Sequence, residues 1–179
     1  MKTSNYIHKE RKRNRLKEYD YSQGGYYFVT VCVDNRKDIF GNVKNGKCFL
    51  NNYGTIVKKN FENLKNRYSY IKLDYYVIMP NHIHAIIIID PSSISVGTGR
   101  DLSQNKKQKI KSLSEIVGAF KTMSSKEIHL TGNKLFKWQR SFYDRIIRNE
   151  KELYYIRRYI EQNPLSLEIA KEFPDNLDL

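Results

Sequence analysis

The run from His82 to Ile89, His-Ile-His-Ala-Ile-Ile-Ile-Ile, constrains the fold of this chain more than any other stretch. Its β-branched residues predict a strand, in which successive side chains point to opposite faces. One face then carries Ile83, Ala85, Ile87 and Ile89, and the other carries His82, His84, Ile86 and Ile88. Both faces are apolar beyond the histidines, so we expect a central strand that is covered on both sides.

The two histidines project from the same face of this strand, about 7 Å apart along it. That spacing allows both imidazoles to bind one metal ion. The alternative is that His82 and His84 are hydrated, inert residues at the end of a strand. The strand by itself does not decide between these interpretations.

The charge of the chain indicates its class of partner. The 179 residues, of which 40% are hydrophobic, suffice for one domain with a substantial core. The net charge of +13 favours a polyanion, with nucleic acid as the first candidate and a membrane surface as the second. No apolar run could span a bilayer and no signal peptide is evident, so we expect a soluble cytoplasmic protein, nucleoid-associated when bound to DNA. Cys32 and Cys48 form no C-x-x-C pair, and no disulfide is expected.

Further strands and helices surround the histidine strand. We predict strands over 26–33, 71–78 and 142–147, with short ones at 39–40 and 48–50. The strand over 71–78 should form a hairpin with the histidine strand through the Met79-Pro80-Asn81 turn. Helices are predicted to begin after Thr55, after Ser112 with Glu115 in a capping box, and after Asn149, the last one ending at Asn163-Pro164.

The predicted domain organisation is simple. A basic arm over residues 1–20 precedes a single domain over 21–167, and a tail over 168–179 follows it. Within the domain, the Ser-, Gly-, Asn- and Lys-rich segment 91–111 predicts a flexible loop.

The last predicted helix offers chemical partners for the histidines. Its buried stripe is Leu153, Ile156 and Ile160, and Tyr159 and Asn163 lie one turn apart along the edge of that stripe. If this helix packs on the histidine face, a metal ion held by two imidazoles and an amide oxygen would polarise a phosphate that the tyrosine hydroxyl attacks.

Tyr159 has competitors for this role among the tyrosines of the same region. They are Tyr143, Tyr154 and Tyr155. Tyr155 is the serious alternative because it lies one turn before Tyr159 on the same side of the helix. Spacing does not choose between the two.

Other basic and aromatic residues are candidates for contact with DNA. Single strands are held by basic grooves together with aromatic stacking. The candidates are Arg11 and Arg13 in the N-terminal arm, Trp138 and Tyr143 as stacking residues, and Arg140, Arg145 and Arg148 as phosphate ligands. The alternative is that the two aromatic residues belong to the core and that the arginines form a solvated rim.

An ordered series of motifs resembles a known family. Its parts are Tyr19-Asp20-Tyr21-Ser22 before Tyr27-Phe28-Val29-Thr30, Met79-Pro80-Asn81-His82-Ile83-His84, Ser112-Leu113-Ser114-Glu115-Ile116-Val117, Trp138-Gln139 before Phe142-Tyr143-Asp144, and Tyr159-Ile160-Glu161-Gln162-Asn163-Pro164. The series, which spans roughly residues 19 to 167, resembles the single-tyrosine HUH transposases (IS200-like), and most closely the REP-associated tyrosine transposases.

The resemblance implies an α+β, ferredoxin-like fold with an antiparallel sheet. It implies Mg²⁺ or Mn²⁺ held by His82, His84 and Asn163, with Tyr159 as the nucleophile. The reaction implied is cleavage of single-stranded, hairpin-bearing DNA to a 5′-phosphotyrosine and a free 3′-OH, and rejoining by the reverse step. Relatives include homodimers and monomers, so the sequence leaves both oligomeric states open for this protein.

Two other functions compete with this one. The first is a non-catalytic or domesticated nucleic-acid-binding protein on the same fold. The second is a replication or mobilisation endonuclease with the same chemistry, which the absence of a G-x-x-x-x-G-K-[S/T] motif disfavours.

Overall fold

The computed structural model describes residues 19–93 and 110–172, so Arg11, Arg13 and most of the predicted loop over 91–111 lie outside the described residues. The strands are β1 (Gly25–Cys32), β2 (Gly41–Lys44), β3 (Lys47–Leu50), β4 (Ile71–Met79), β5 (His82–Ile89) and β6 (Tyr143–Ile147). The helices are α1 (Asn52–Glu62), α2 (Leu64–Arg67), α3 (Leu113–Leu130) and α4 (Glu150–Glu172). Short 3₁₀ turns cover Asp34–Arg36 and Pro91–Ser93.

The main sheet has the strand order β4-β5-β1-β6, and every neighbouring pair is antiparallel. This order, with helices packed on the sheet, is the ferredoxin-like α+β architecture that the family resemblance implied. β4 and β5 form the predicted hairpin, which places the histidine strand inside the sheet. β2 and β3 form a separate two-stranded ribbon.

The two faces of the sheet are covered by different helices. Ile83, Ala85 and Ile87 of β5 belong to a large core that also contains Ile56 of α1 and Phe120 of α3. The opposite face packs against α4 through a smaller cluster. Its members are Phe28, Ile86, Ile147, Leu153, Ile156 and Ile160. The face that carries the histidines is therefore the face that α4 covers.

Trp138 is a core residue. Its side chain is 8% exposed, its ring contacts those of Phe40, Phe120 and Phe136, and its indole N–H donates to Ser124 Oγ. A ring packed among three others has no free face for a base, so this burial contradicts the DNA-stacking role predicted for Trp138.

Two local predictions near the β2–β3 ribbon were wrong. The N-cap of α1 is Asn51, whose side chain accepts from Gly54 N, whereas Thr55 lies inside the helix. A Cβ at Gly54 would meet the carbonyl oxygen of Phe40 at 2.2 Å, so glycine permits the close approach of α1 to that segment. No strand forms at 39–40, because the backbone N–H groups of Ile39 and Phe40 both donate to the Pro80 carbonyl.

The prediction that α4 ends at Asn163-Pro164 was also wrong. The helix begins after the predicted cap Asn149, which accepts from Glu152 N, and continues through the buried Pro164 to Glu172. Proline removes one helical hydrogen bond. Beyond it, Glu168 accepts hydrogen bonds from the backbone N–H groups of Asn45 and Gly46 in the β2–β3 turn, which holds this last part of the helix against the ribbon.

Within residues 19–93 and 110–172, no helix is both long and apolar enough to cross a membrane.

Candidate active site

His82 and His84 lie at the beginning of β5, next to the turn that follows Pro80. Cys32 and Met79 flank His82 in the sheet, and Thr30 and Val77 flank His84. Because both neighbouring strands are hydrogen-bonded to β5, the backbone of both histidines is fixed. His84 is 6% exposed, and His82 is partly buried.

The two imidazoles converge on one point. The Nε2 atoms of His82 and His84 are 3.0 Å apart. Two adjacent ligands of one octahedral ion, each about 2.1 Å from it, are separated by about this distance. The structure therefore brings the two histidines into an arrangement that fits a shared divalent cation.

Hydrogen bonds orient each ring from behind. His82 Nδ1 lies 2.6 Å from Asn81 Oδ1, and Asn81 Nδ2 donates to Asp38 Oδ1 at 2.6 Å. An amide oxygen only accepts hydrogen bonds, so the His82 proton is on Nδ1. The Nε2 lone pair of His82 therefore faces the cleft. His84 Nδ1 lies 2.8 Å from Thr30 Oγ1, which fixes the second ring.

Burial keeps both histidines neutral. It lowers the pKa of His82 to about 4, and the positive charge of Arg36 adds to the effect. Burial also lowers the pKa of His84 to about 3, with further contributions from His82 and Arg36. Neutral imidazole is the form that binds a metal ion, so neither ring would need to lose a proton near pH 7 in order to bind one.

Tyr159 of α4 contacts this pair directly. Its hydroxyl oxygen lies 3.3 Å from His84 Nε2, and its ring lies 5.2 Å from that imidazole in an edge-on arrangement. Phe28 contacts both rings and thereby supports the position of Tyr159. The hydroxyl is therefore within reach of the histidines. The Tyr159 side chain is also 49% exposed, so part of its ring is open to a large substrate.

The competing tyrosine has a different environment. Tyr155 is 59% exposed, its ring contacts that of Tyr154, and it lines a cavity of about 430 Å³ with Arg145 and Arg148. The contact with His84 is made by Tyr159, and the geometry therefore favours Tyr159 as the nucleophile.

Asn163 lies one turn beyond Tyr159 on α4 and is partly buried. Among the residues that the structure describes, no group of three or more His, Cys, Asp or Glu side chains could hold a metal ion. A third protein ligand would therefore be of another type, and an amide oxygen such as that of Asn163 has suitable chemistry. The assignment of Asn163 as a ligand stays a prediction.

The DNA-contact candidates occupy two separate regions. Tyr143, Arg145 and Arg148 line one small cavity of about 180 Å³ beside the edge strand β6, where Arg145 also pairs with Glu152. Arg140 is exposed and lies on the other side of the sheet, near α3. Their roles in DNA binding stay predictions.

Sequence reasoning missed four residues of the site. They are Thr30, Asp38, Asn81 and Arg36. Asn81 directly precedes His82 in a turn, which is a position that could have suggested a supporting role. The other three come from segments far from the histidine motif in the sequence, and only the sheet register and the turn after β1 bring them near it.

Comparison with known proteins places the chain in a family. No family model matches it. The chain is 34% identical over 169 residues to an uncharacterized protein of Haemophilus influenzae, and the match covers 92% of this chain and 94% of that protein. At this identity and coverage, the chain belongs to the same family as the H. influenzae protein.

The solved structures identify the class of fold. A REP-associated tyrosine transposase bound to a REP hairpin is similar to this structure with a TM-score of 0.60 and 20% sequence identity, covering 88% of this chain and 76% of that one. The ferredoxin-like fold and the resemblance to the REP-associated tyrosine transposases are thereby confirmed. At this identity the similarity establishes the fold, and the activity needs its own argument.

Proposed function

We propose that this protein is a DNA transposase that cleaves and rejoins single-stranded, hairpin-bearing DNA through Tyr159. The observation that carries the proposal is the 3.3 Å contact between the Tyr159 hydroxyl and His84 Nε2, which itself lies 3.0 Å from His82 Nε2. A tyrosine beside two neutral, convergent imidazoles is suited to nucleophilic attack on a phosphodiester. The shared fold with a transposase bound to a hairpin supports the choice of substrate.

His82, His84 and Asn163 would hold a divalent cation, Mg²⁺ or Mn²⁺. When bound, such an ion would polarise the scissile phosphate and offset the charge that develops on it. The pocket fits this group because its two histidines are neutral, converge at 3.0 Å and are oriented from behind by Asn81 and Thr30.

The covalent reaction needs no reactant other than the Tyr159 hydroxyl and the DNA. The Tyr159 oxygen loses its proton and forms a bond to phosphorus as the bond from phosphorus to the 3′ oxygen breaks, and that oxygen takes up a proton. The products are a 5′-phosphotyrosine and a free 3′-OH. Attack by a 3′-OH on the phosphotyrosine rejoins a strand without ATP, because the covalent intermediate retains the energy of the phosphodiester bond.

One chain supplies both the nucleophile and the histidines. Tyr159 contacts His84 of its own chain, which supports a site that is complete within one molecule. We place the activity in the cytoplasm, with the protein on the nucleoid when it is bound to DNA.

The experiment that tests the proposal detects the covalent intermediate. A labelled hairpin oligonucleotide with a single-stranded extension is incubated with the protein and Mn²⁺, and an SDS-resistant adduct is expected. Tyr159→Phe should abolish the adduct because it removes only the attacking oxygen. Tyr155→Phe is the matched control and should retain it.

The other outcomes assign the site differently. An adduct that persists in Tyr159→Phe and disappears in Tyr155→Phe would make Tyr155 the nucleophile. A wild-type protein that binds hairpins and forms no adduct with any of them would be a non-catalytic or domesticated nucleic-acid-binding protein.

A further inference from the structure

A short exposed loop lies beside the histidine cleft. It covers residues 34–38, between β1 and the β2–β3 ribbon, and we call it the cleft loop. Both of its ends are bonded to the turn that precedes β5. Val33 N donates to the Asn81 carbonyl at 2.8 Å on one side, and Ile39 N donates to the Pro80 carbonyl at 2.8 Å on the other. The cleft loop is therefore held in a fixed place next to the start of the histidine strand.

The backbone of the cleft loop is unusual at its centre. Asn35 has a φ of 54° and Arg36 has a φ of 50°, and both angles lie in the left-handed region that residues other than glycine rarely adopt. The Arg36 N–H donates to the Val33 carbonyl at 3.0 Å, and the Asp38 carboxylate accepts from Asn81, so the loop keeps this conformation. Unfavourable backbone conformations of this kind are concentrated at functional sites. Such strain beside the histidines favours a functional role for Arg36.

The charge of Arg36 acts on the histidine face of the sheet. Cys32 pairs with His82 across β1 and β5, so its side chain lies on that same face. Burial is the main cause of the lowered pKa of His82, and the positive charge of Arg36 adds to it. The same charge contributes, after burial and His82, to the lowered pKa of His84, and at Cys32 it opposes the rise in pKa that burial causes. The guanidinium is therefore close to all three groups, on the side of the sheet that α4 covers.

The guanidinium of Arg36 is available to an anion. Its side chain is exposed, and no carboxylate among the described residues forms an ion pair with it. Other arginines near α4 are engaged, since Arg157 pairs with Asp74 and Arg145 pairs with Glu152. A guanidinium carries its N–H donors in a planar fork that matches two oxygens of a phosphate. Arg36 can therefore offer a phosphate at the cleft both charge and directed hydrogen bonds.

The proposed reaction needs such a group. As the Tyr159 oxygen bonds to phosphorus and the bond to the 3′ oxygen breaks, negative charge grows on the non-bridging oxygens of the phosphate. His82 and His84 are neutral and contribute no charge of their own. A guanidinium is always protonated, and a fixed donor aimed at developing charge stabilises the transition state more than the bound substrate.

We propose that Arg36 is a catalytic residue that donates hydrogen bonds to a non-bridging oxygen of the scissile phosphate while Tyr159 attacks it. The assignment rests on the proposed function for the reaction and for the nucleophile. It adds a cationic group of the chain itself, which the two neutral histidines and the tyrosine do not provide. The fixed position of the cleft loop holds this group at the cleft before the DNA arrives.

The test compares two variants of equal net charge on two DNAs. Arg36→Ala is the test variant, and Lys37→Ala is the matched control, because Lys37 is the next residue of the same loop and is also exposed. The position of cleavage in a labelled hairpin oligonucleotide is first mapped with the wild-type protein and Mn²⁺. The rate of adduct formation is then measured on that DNA and on the same DNA with a methylphosphonate at the cleaved position. The methylphosphonate has no charge on its non-bridging atoms.

Arg36→Ala should form the adduct much more slowly on the natural phosphate. Loss of one donor to a developing oxyanion typically costs about 100- to 1000-fold, so we expect a fall of at least about 100-fold. Arg36→Lys should lose less, because it keeps the charge without the planar fork. Lys37→Ala should stay within about threefold of the wild type. On the methylphosphonate, the wild type and Arg36→Ala should react at rates within about threefold of each other, because the charge that Arg36 stabilises is absent.

Two further measurements separate catalysis from folding and from binding. The midpoint of thermal unfolding of Arg36→Ala should match that of the wild type, because the side chain is exposed. Hairpin affinity is measured by fluorescence anisotropy in the Tyr159→Phe background, where no covalent step occurs. There, Arg36→Ala should cost less than about tenfold, since it removes one phosphate contact among several. The loss in rate should therefore exceed the loss in affinity.

Other outcomes would overturn the assignment of Arg36. An adduct rate equal to that of the wild type in Arg36→Ala would reject it and leave Tyr159 as the nucleophile. An equal loss on the natural phosphate and on the methylphosphonate would show that Arg36 acts without touching the scissile phosphate. An equal loss in Lys37→Ala would make the effect one of general charge. A wild-type protein that binds hairpins and forms no adduct would reject the proposed function, and the role of Arg36 with it.

Discussion

The two faces of β5 differ in what they bury. Towards α1 and α3, Ile83, Ala85 and Ile87 join a large core composed of apolar side chains. Towards α4, Ile86 joins a small apolar cluster, and His82 and His84 occupy the next positions along the same face. Because side chains alternate along a strand, one stretch of sequence serves both the stability of the domain and the chemistry of the site.

On the histidine face, hydrogen bonds satisfy the Nδ1 atom of each imidazole. The two Nδ1 atoms of the imidazoles are hydrogen-bonded to Asn81 and Thr30, and α4 is fixed to β4 by the Arg157–Asp74 pair at 2.8 Å. Burial of hydrogen-bonded polar groups costs little, whereas unpaired ones are expensive. The large core towards α1 and α3 can therefore carry most of the folding free energy, while the face towards α4 keeps two neutral imidazoles in place.

The largest effect is expected for His82→Ala on the histidine face. Loss of a proposed direct ligand should cost more than the 10- to 100-fold that is typical of residues supporting a ligand, so adduct formation with hairpin DNA and Mn²⁺ should fall by more than about 100-fold. The midpoint of thermal unfolding and the hairpin affinity should stay near the wild-type values. An adduct rate equal to that of the wild type would remove His82 from the site.

Ile87→Ala, on the core face, is expected to have a large effect on stability and none on the adduct rate. Ile87 is fully buried, so the substitution leaves a cavity and should lower the free energy of unfolding by about 2 to 5 kcal/mol, as measured by urea denaturation. The adduct rate of the folded protein should not change. Ile88→Ala, on the other face and only partly buried, is the control. An equal loss in both variants would contradict the difference between the faces.

The smallest effect is expected for Asn81→Ala, which acts through His82. The imidazole loses the partner that orients it, and adduct formation should fall by about 10- to 100-fold, or roughly 1.4 to 2.7 kcal/mol. A titration with Mn²⁺ should show that more metal ion is needed. Asp38→Ala should have a weaker effect of the same kind, and the double variant should resemble Asn81→Ala, because Asp38 holds the amide that orients His82. Additive effects would show that Asp38 acts independently.

The alternating pattern of β5 predicted much of this arrangement. It predicted a central strand with both histidines on one face, and the helical spacing of Leu153, Ile156 and Ile160 predicted the stripe by which α4 packs on that face. Both predictions succeed because burial on a strand or helix follows a fixed period. The capping box at Ser112 and Glu115 was also predicted correctly, because two residues three positions apart in the sequence define it.

The failures occur where contacts between distant segments decide the local structure. Asn51 rather than Thr55 caps α1, and at Gly54 the start of this helix lies close to Phe40, a contact that has no signature in the sequence. Trp138 is buried among Phe40, Phe120 and Phe136, which come from separate segments of the chain, and Ser124 of α3 accepts its indole proton. The hydrogen bonds of Asn81 with Asp38 and of His84 with Thr30 likewise join residues 43 and 54 positions apart.

The continuation of α4 past Pro164 gives the tyrosine helix a second support. Its beginning is joined to the edge strand β6 through Arg148 and Asn149, and near its other end Glu168 is bound to the β2–β3 turn. Tyr159 lies about 15 Å from the first support and about 13 Å from the second, near the middle of the span. A helix that is fixed near both ends resists tilting. The Tyr159 hydroxyl therefore stays close to the histidines as long as both contacts of α4 are kept.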